Sequence, residues 1–284
     1  MNTCRLWIDS HVHIYPIFSL NTSLDSAIHA FKRETSQYNA SNFSNNKIKN
    51  IYVLCLNECE KEKAHYRISQ LPQNMTSHSA HWIISKLSFG LFMAKKGADE
   101  IYLYLGRQRV SKEGIELLTL GNSKINSGDL NLTLGELIKR YSNAIPVLPW
   151  GFGKWIGMRG KIVSDCISDP ELNKDLWVGD SRTRPKLWFY VPQFNMAFNK
   201  GVPRFAGSDP LPLKDQEKQI CLFGNMFELH NSAELRIESA DHMTGLIKSF
   251  RMSAGLQGRK YHQFGRPSGL IHSLCNQIKL RQSK

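Results

Sequence analysis

The protein is a chain of 284 residues with a formal net charge of +13 at pH 7. Its hydrophobic fraction of 41% and charged fraction of 21% are ordinary for globular proteins, which excludes general disorder and supports a sizeable core. No apolar stretch approaches the roughly 18 residues of a membrane-spanning helix, and residues 1–9 lack a signal-peptide core. We therefore expect a single domain over residues 1–284 that is located in the cytoplasm and does not enter a membrane.

Two compositional features bear on compartment and partners. The six cysteines are scattered, and we expect buried thiols in a reducing environment. The positive charge suits a polyanionic partner, because a positive field attracts polyanions. After Asp241 the chain carries Lys and Arg but no acidic residue. A solvated basic C-terminal helix is the favoured interpretation of this region, and a dedicated nucleic-acid surface is the alternative. Weak binding to nucleic acid is expected in either case.

The first part of the chain predicts strands and one helix. Residues 4–9 and 51–56 are apolar runs of strand length. The apolar spacing over residues 78–95 predicts a helix. Residues 101–105 and 115–120 are further strand-like runs, which either pair as a hairpin or alternate with helices.

The second part alternates helix and strand. Helices are predicted over residues 133–141, 158–167 and 188–198, and strands over residues 144–148, 176–180 and 204–209. Residues 215–284 are predicted to be mostly helical. Alternating elements are typical of an α/β sheet. The expected fold is therefore α/β: a distorted or incomplete TIM-like (β/α) barrel with a mostly helical C-terminal region packed on it.

A pair of histidines, His11 and His13, follows the first predicted strand. Because side chains alternate along extended backbone, both imidazoles point to the same side and can share one metal ion. A solvated or structural role is the alternative for such a pair.

The segment Ile8-Asp9-Ser10-His11-Val12-His13 resembles the first-strand metal motif of the amidohydrolase superfamily, and Ala206-Gly207-Ser208-Asp209-Pro210 resembles its last-strand motif. The resemblance implies a TIM-barrel-like metal-dependent hydrolase. It further implies that His11, His13 and Asp209 bind a divalent metal ion (Zn, Mn or Mg), and that Asp209 also accepts a proton from the attacking water. The middle strands lack the additional histidines that the family usually supplies.

Asp180 stands at a strand end where the family would have a histidine. One interpretation makes it a catalytic carboxylate or an extra ligand that shares the cavity of His11 and His13. The other makes it a helix cap, or the partner of Arg182 or Arg184.

Four further residues are candidates for binding substrate: Lys154, Arg184, Glu58 and Arg107. Lys154 closes the run Gly151-Phe152-Gly153-Lys154, which can present backbone amides and an ammonium group to an anion. The resemblance to the amidohydrolase superfamily also makes Lys154 a candidate for that family's metal-bridging lysine. Packing of the neighbouring aromatic residues around a tight turn is the alternative.

Together these patterns predict a hydrolase that acts on a small polar or anionic substrate through metal-activated water. The alternative is a barrel without catalytic activity that binds an anion or nucleic acid through residues 151–154 and the basic C-terminal region. The missing middle-strand histidines favour the alternative, and the presence of His11, His13 and Asp209 favours the enzyme.

Overall fold

The computed structural model describes residues 3–42, 48–59, 62, 64–69, 81–126, 128–230, 235–253 and 261–269. The strands are β1 (Thr3–Val12), β2 (Ile48–Glu58), β3 (Ile83–Ser88), β4 (Leu91–Lys96), β5 (Asp99–Val110), β6 (Glu116–Leu120), β7 (Ile145–Pro149), β8 (Trp177–Ser181), β9 (Arg204–Gly207), β10 (Phe223–His230) and β11 (Tyr261–Gly265). The helices are α1 (Leu20–Ser41), α2 (Ala64–Ser69), α3 (Leu134–Arg140), α4 (Gly157–Ser168), α5 (Pro170–Asn173), α6 (Pro192–Asn199) and α7 (Ala240–Ser253).

The strands form a single curled sheet in the order β11-β10-β1-β2-β5-β6-β7-β8-β9. Parallel pairing joins β1, β2 and β5, and again β7, β8 and β9. The end of β9 comes back to β1. Asp209 N donates to His11 O at 2.7 Å, and Ser10 Oγ donates to Ala206 O at 2.9 Å. The result is a mixed α/β fold with a nearly closed, barrel-like sheet in which strands dominate, and it is not a regular TIM barrel.

The core follows from this curvature. One apolar cluster takes side chains from β1, β2, β4 to β10 and α7, and it includes the buried Trp177, Phe205 and Phe227. Two further clusters pack helices against the outside of the sheet, one with α1 and α2 and the other with α3 to α6. Both faces of the central strands are covered, which agrees with the apolar runs at residues 51–56 of β2 and 145–148 of β7.

The predicted helix over residues 78–95 is wrong in its described part. Residues 83–96 form the antiparallel hairpin β3–β4, which pairs with β5. Gly90 has a positive φ of 81°, which suits the tight turn between the two strands. Ile84, Leu91 and Phe92 are buried on the two sides of this turn. Their spacing in the sequence resembles the period of a helix, although they lie on two strands.

The mostly helical region predicted for residues 215–284 is also wrong in its described part. There β10 pairs antiparallel with β1, and β11 pairs antiparallel with β10, so the region extends the sheet and contributes α7. The residues of β10 from Phe223 to Leu229 are buried on both faces. A strand buried on both faces cannot be distinguished from a buried helix by periodicity alone.

The other predicted elements are present with small shifts of their ends. The runs at residues 101–105 and 115–120 lie in β5 and β6, which pair antiparallel. No helix in the described ranges combines the length and apolar character needed to cross a membrane. The described cysteines form no disulfide, and all of them except the half-buried Cys59 are buried. Cys275 lies outside the described residues.

Candidate metal centre

Three potential metal ligands meet where the end of β9 lies against β1. His11 lies in β1, His13 follows it, and Asp209 follows β9. Gly207 makes the approach possible, because a Cβ at that position would lie 2.5 Å from both the Cβ and the backbone nitrogen of His11. The ligand atoms of His11, His13 and Asp209 all lie within 4.8 Å of one another. The structure thus brings together the residues of two motifs at distant positions in the chain.

The two imidazoles face each other. Their Nε2 atoms are 2.9 Å apart, and His11 Nε2 lies 3.7 Å from Asp209 Oδ1. Two neutral ring nitrogens at this distance need a proton or a cation between them, since their lone pairs would otherwise repel each other. Two imidazoles and a carboxylate are a donor set that fits zinc or manganese, and three protein ligands leave a coordination position for water or substrate. The donor set therefore fits a divalent ion.

Glu62 fixes the orientation of His13. The Nδ1 atom of His13 is 2.8 Å from Glu62 Oε1, and both side chains are buried. A carboxylate that accepts the Nδ1 proton leaves the Nε2 lone pair free to bind a metal. Cys59 Sγ donates to the same carboxylate oxygen at 2.8 Å. Burial opposes protonation of His13, but the charge of Glu62 and its hydrogen bond outweigh burial and raise the pKa of His13.

Sequence reasoning missed Glu62 because no motif contains it. The available signal is its position in a Glu-rich segment just past β2, a strand end that faces the same edge of the sheet as His13. Gln108, which follows the candidate Arg107 in β5, counters part of the effect of burial on the pKa of His11.

Asp209 is held from its other side. Its Oδ2 atom accepts hydrogen bonds from Ser181 Oγ at 2.8 Å and Thr183 Oγ1 at 3.3 Å. Its backbone φ of 48° is in the left-handed region, which is uncommon for residues other than glycine and is often found at functional sites. Burial favours the neutral acid, but the nearby His11 and His13 outweigh this effect and lower the pKa of Asp209. Asp209 is therefore ionised at neutral pH.

Burial lowers the pKa of His11, more strongly than the charge of Asp209 raises it. His11 is therefore neutral at pH 7, which is the protonation state that a metal ligand requires.

Asp9, which belongs to the first motif, has a structural role. Its carboxylate accepts backbone N–H groups from His11 at 3.2 Å, Ser208 at 2.8 Å and Cys221 at 2.9 Å. Burial raises the pKa of Asp9 to about 6 in spite of these bonds. Asp9 ties β1 to the segments that follow β9 and precede β10, and so holds the two motifs together.

Asp180 pairs with an arginine and does not share the cavity of His11 and His13, where a catalytic role would place it. Its Oδ1 and Oδ2 atoms accept hydrogen bonds from Arg184 Nε at 2.7 Å and Nη2 at 2.8 Å, in a buried, bidentate ion pair. It lies outside the group of ligand atoms formed by His11, His13 and Asp209. The alternative interpretation, a pair with Arg184, is the arrangement observed. Arg184 is consequently occupied by Asp180 and does not face a substrate with a free guanidinium.

Glu58 and Arg107 are likewise paired with each other. Arg107 Nη2 donates to Glu58 Oε2 at 2.9 Å, and the backbone N–H of His65 donates to Glu58 Oε1 at 3.0 Å. Because both side chains are buried, this pair anchors α2 to the ends of β2 and β5.

Lys154 is the candidate substrate-binding residue whose charge acts on the centre. Its Nζ atom forms an ion pair with Glu116 at the start of β6. The charge of Lys154 contributes to the lowered pKa of Asp209, and Glu116 acts electrostatically on both histidines. Lys154 is only half-buried, so it can exchange its partner for a bound anion.

Comparisons with known proteins support the fold. No protein-family model and no curated protein matches the chain. The crystal structure of PsfC from Pseudomonas syringae PB-5123 is similar, with 12% identity, a TM-score of 0.51 and 100% of both chains covered. That of the lesion-specific endonuclease PfuEndoQ from Pyrococcus furiosus has the same identity and TM-score. It matches 92% of this chain, which spans 59% of the length of that endonuclease. At such identity these similarities show a shared fold alone.

Proposed function

We propose that the protein is a metal-dependent hydrolase of the kind that its resemblance to the amidohydrolase superfamily implies. The observation that carries this proposal is the convergence of His11, His13 and Asp209, whose ligand atoms lie within 4.8 Å of one another. Zinc, manganese and magnesium are the candidate ions, and the two imidazoles favour zinc or manganese over magnesium.

The chain's own residues have distinct roles in this proposal. A divalent ion held there would lower the pKa of a water molecule and stabilise negative charge that develops on the substrate. Asp209 would accept a proton from the attacking water, while Ser181 donates to its Oδ2 atom and holds the carboxylate in place. Glu62 keeps His13 in the tautomer that a ligand needs. Lys154 attracts an anionic substrate to the centre, which agrees with the net charge of +13.

The test is hydrolysis of three chromogenic compounds: 4-nitrophenyl phosphate, bis(4-nitrophenyl) phosphate and 4-nitrophenyl acetate. Protein treated with EDTA should be inactive, and Zn²⁺, Mn²⁺ or Mg²⁺ should restore turnover of at least one compound. Asp209→Asn should lower kcat by at least about 10²- to 10⁴-fold, since a general base and a metal ligand are lost together. Asp165→Asn, at an exposed position in α4, is the control. Turnover that survives both EDTA and Asp209→Asn would contradict the proposal.

A phosphodiester in nucleic acid is the second candidate substrate. Two observations favour it: the net charge of +13, and the fold shared with an enzyme described as a lesion-specific endonuclease. Incubation of end-labelled single- and double-stranded DNA, with and without a damaged base, in the presence of Mn²⁺ tests it directly. Binding without cleavage would instead favour a catalytically inactive binding module.

A further inference from the structure

A small cavity with aromatic walls lies at the carboxyl ends of β7 and β8. It has a volume of about 290 Å³ and is walled by Trp150, Trp155 and Trp188. The rings of Trp150 and Trp188 meet edge to face, with centroids 5.6 Å apart. Phe152 also packs edge to face with Trp188, with centroids 5.5 Å apart, and is partly exposed. The volume is near the lower end of the range of about 300–1,000 Å³ that is typical of small-molecule sites.

The walls of this tryptophan cavity are held by hydrogen bonds from buried side chains. Gln193 Nε2 donates to Trp155 O at 3.4 Å and to Gly160 O at 3.3 Å. A Cβ at Gly160 would lie 2.4 Å from Trp155 O, so glycine is required for α4 to pack there. On the opposite wall, Arg184 Nη1 donates to Trp188 O at 2.7 Å. The cavity is therefore preformed rather than dependent on a ligand.

Two connections link the tryptophan cavity to segments that also contact the candidate metal centre. The side chain of Lys154 lies against Gly151, which lines the cavity: a Cβ on Gly151 would lie 2.6 Å from Lys154 Cδ. Arg184 holds Trp188 and pairs with Asp180, and the next residue of β8, Ser181, donates to Asp209. The tryptophan cavity and the candidate metal centre thus both contact the loop after β7 and consecutive residues at the end of β8.

We propose that the tryptophan cavity binds a flat aromatic or heteroaromatic ring of the substrate, and that an anionic group on the same molecule lies at Lys154. Indole faces stack on planar rings, and they gain less from a flexible aliphatic chain. Exposed Arg159, which donates to Gly153 O at 3.4 Å, adds a second positive charge next to Lys154. A phosphorylated heterocycle such as a nucleotide combines both features. Hydrolysis of that anionic group at the candidate metal centre rests on the proposed function, whereas ring binding does not.

The experiment is isothermal titration of EDTA-treated protein with adenosine 5′-monophosphate, 4-nitrophenyl phosphate and ribose 5-phosphate. The two ring-bearing phosphates should bind more tightly than ribose 5-phosphate. Trp188→Ala should weaken their binding about tenfold and leave ribose 5-phosphate unaffected, because one stacking surface is lost. Trp188→Phe should retain most of the affinity. Phe198→Ala, which removes an exposed ring outside the cavity, is the matched control.

Two results would overturn the ring-binding proposal. One is equal affinity of the wild type for ribose 5-phosphate and for both ring-bearing phosphates. The other is unchanged affinity in a Trp188→Ala variant whose circular dichroism shows a native fold. Metal content, measured on the same samples before EDTA treatment, separates this proposal from the proposed function. Ring binding that depends on Trp188 in a protein without metal affinity would support the cavity and contradict the hydrolase.

Discussion

At the scale of single residues, the candidate centre depends on side chains that hold its potential ligands. Glu62 accepts the Nδ1 proton of His13, and Ser181 and Thr183 donate to Asp209. His11 and Asp209 are further tied through their backbones, since Asp209 N donates to His11 O. Such supporting contacts restrict the rotamers of the ligands, so less entropy is lost when an ion binds.

Replacing Glu62 by Gln should weaken metal binding without removing it. The amide oxygen still accepts a hydrogen bond from His13, but the negative charge that makes the imidazole a stronger ligand is lost. We expect the Kd for Zn²⁺ to rise about 10- to 100-fold, as is usual for such partners. Competition with a chromogenic chelator measures this change. Glu171→Gln, at an exposed position in α5, should leave the Kd unchanged, and an unchanged Kd in Glu62→Gln as well would show that Glu62 only fills space.

Asp209 and Asp180 should respond in opposite ways to the same substitution. Asp209→Asn removes a ligand charge from a half-buried site, so metal should be lost while the free energy of unfolding changes little. Asp180→Asn leaves Arg184 buried without its counter-charge, which should cost about 3–5 kcal/mol of stability. Urea denaturation and metal analysis of both variants check this contrast. A stable Asp180→Asn protein that has lost its metal would restore Asp180 to the centre.

The sequence allowed part of this site to be predicted. The pair His11 and His13 was visible because alternation along a strand is a local rule, and Asp209 was visible through its motif. The surroundings of Asp180 were not predictable, because the same strand-end carboxylate can face a cavity or pair with an arginine. Only the position of Arg184 in the folded chain decides between them. Glu62 acts across a loop, so no short pattern includes both it and His13.

At the scale of elements, the contact between β1 and β9 determines whether the two motifs meet. Gly207 of β9 lies directly against His11 of β1, with no room for a side chain. The carboxylate of Asp9 adds hydrogen bonds to Ser208 and Cys221 across the same junction. This junction nearly closes the sheet and positions Asp209 opposite the histidines.

Gly207→Ala should therefore disrupt both fold and centre. The added methyl group would displace His11 or separate the strands, at a cost of about 1–3 kcal/mol in stability together with a loss of metal affinity. Gly245→Ala is the control, because no atom lies within 4 Å of a Cβ there and alanine is favoured inside α7 by about 1 kcal/mol. Thermal denaturation of both variants checks the prediction. A Gly207→Ala protein as stable and as metal-binding as the wild type would show that the junction is loose.

Elements whose pattern is local were predicted well, and elements that depend on distant pairing were not. The helices α3 and α4 and the strands β7 and β8 follow from their own apolar spacing. The β3–β4 hairpin was mistaken for a helix, because the apolar residues on the two sides of its tight turn at Gly90 recur at a spacing that resembles the period of a helix. The strands β10 and β11 are recognisable only through the pairing of β10 with β1 and of β11 with β10. The pairing of β10 with β1 joins opposite parts of the chain.

At the scale of the whole molecule, the net charge of +13 acts over a longer range than any single contact. It favours encounter with anionic substrates, but it carries no sequence information. A cytoplasmic location and a small-molecule substrate remain predictions from the sequence.

Binding to generic DNA or RNA should consequently be weak at physiological salt and should fall steeply as salt rises, since only phosphate neutralisation contributes. Fluorescence anisotropy with oligonucleotides of unrelated sequence, at several salt concentrations, measures this dependence. Tight binding that persists at high salt and differs between sequences would favour a dedicated nucleic-acid-binding protein over a small-substrate hydrolase.

The central claim is that His11, His13 and Asp209 hold one divalent ion. Elemental analysis of the purified protein, of His11→Ala and of His13→Ala tests it most directly, with His29→Ala as the control because His29 is an exposed residue of α1. We predict about one equivalent of metal per chain in the wild type and in His29→Ala, and a large loss in both other variants, because each removes one of the few protein ligands. Equal metal content in all four proteins, or none in the wild type after reconstitution with Zn²⁺ and Mn²⁺, would contradict the account.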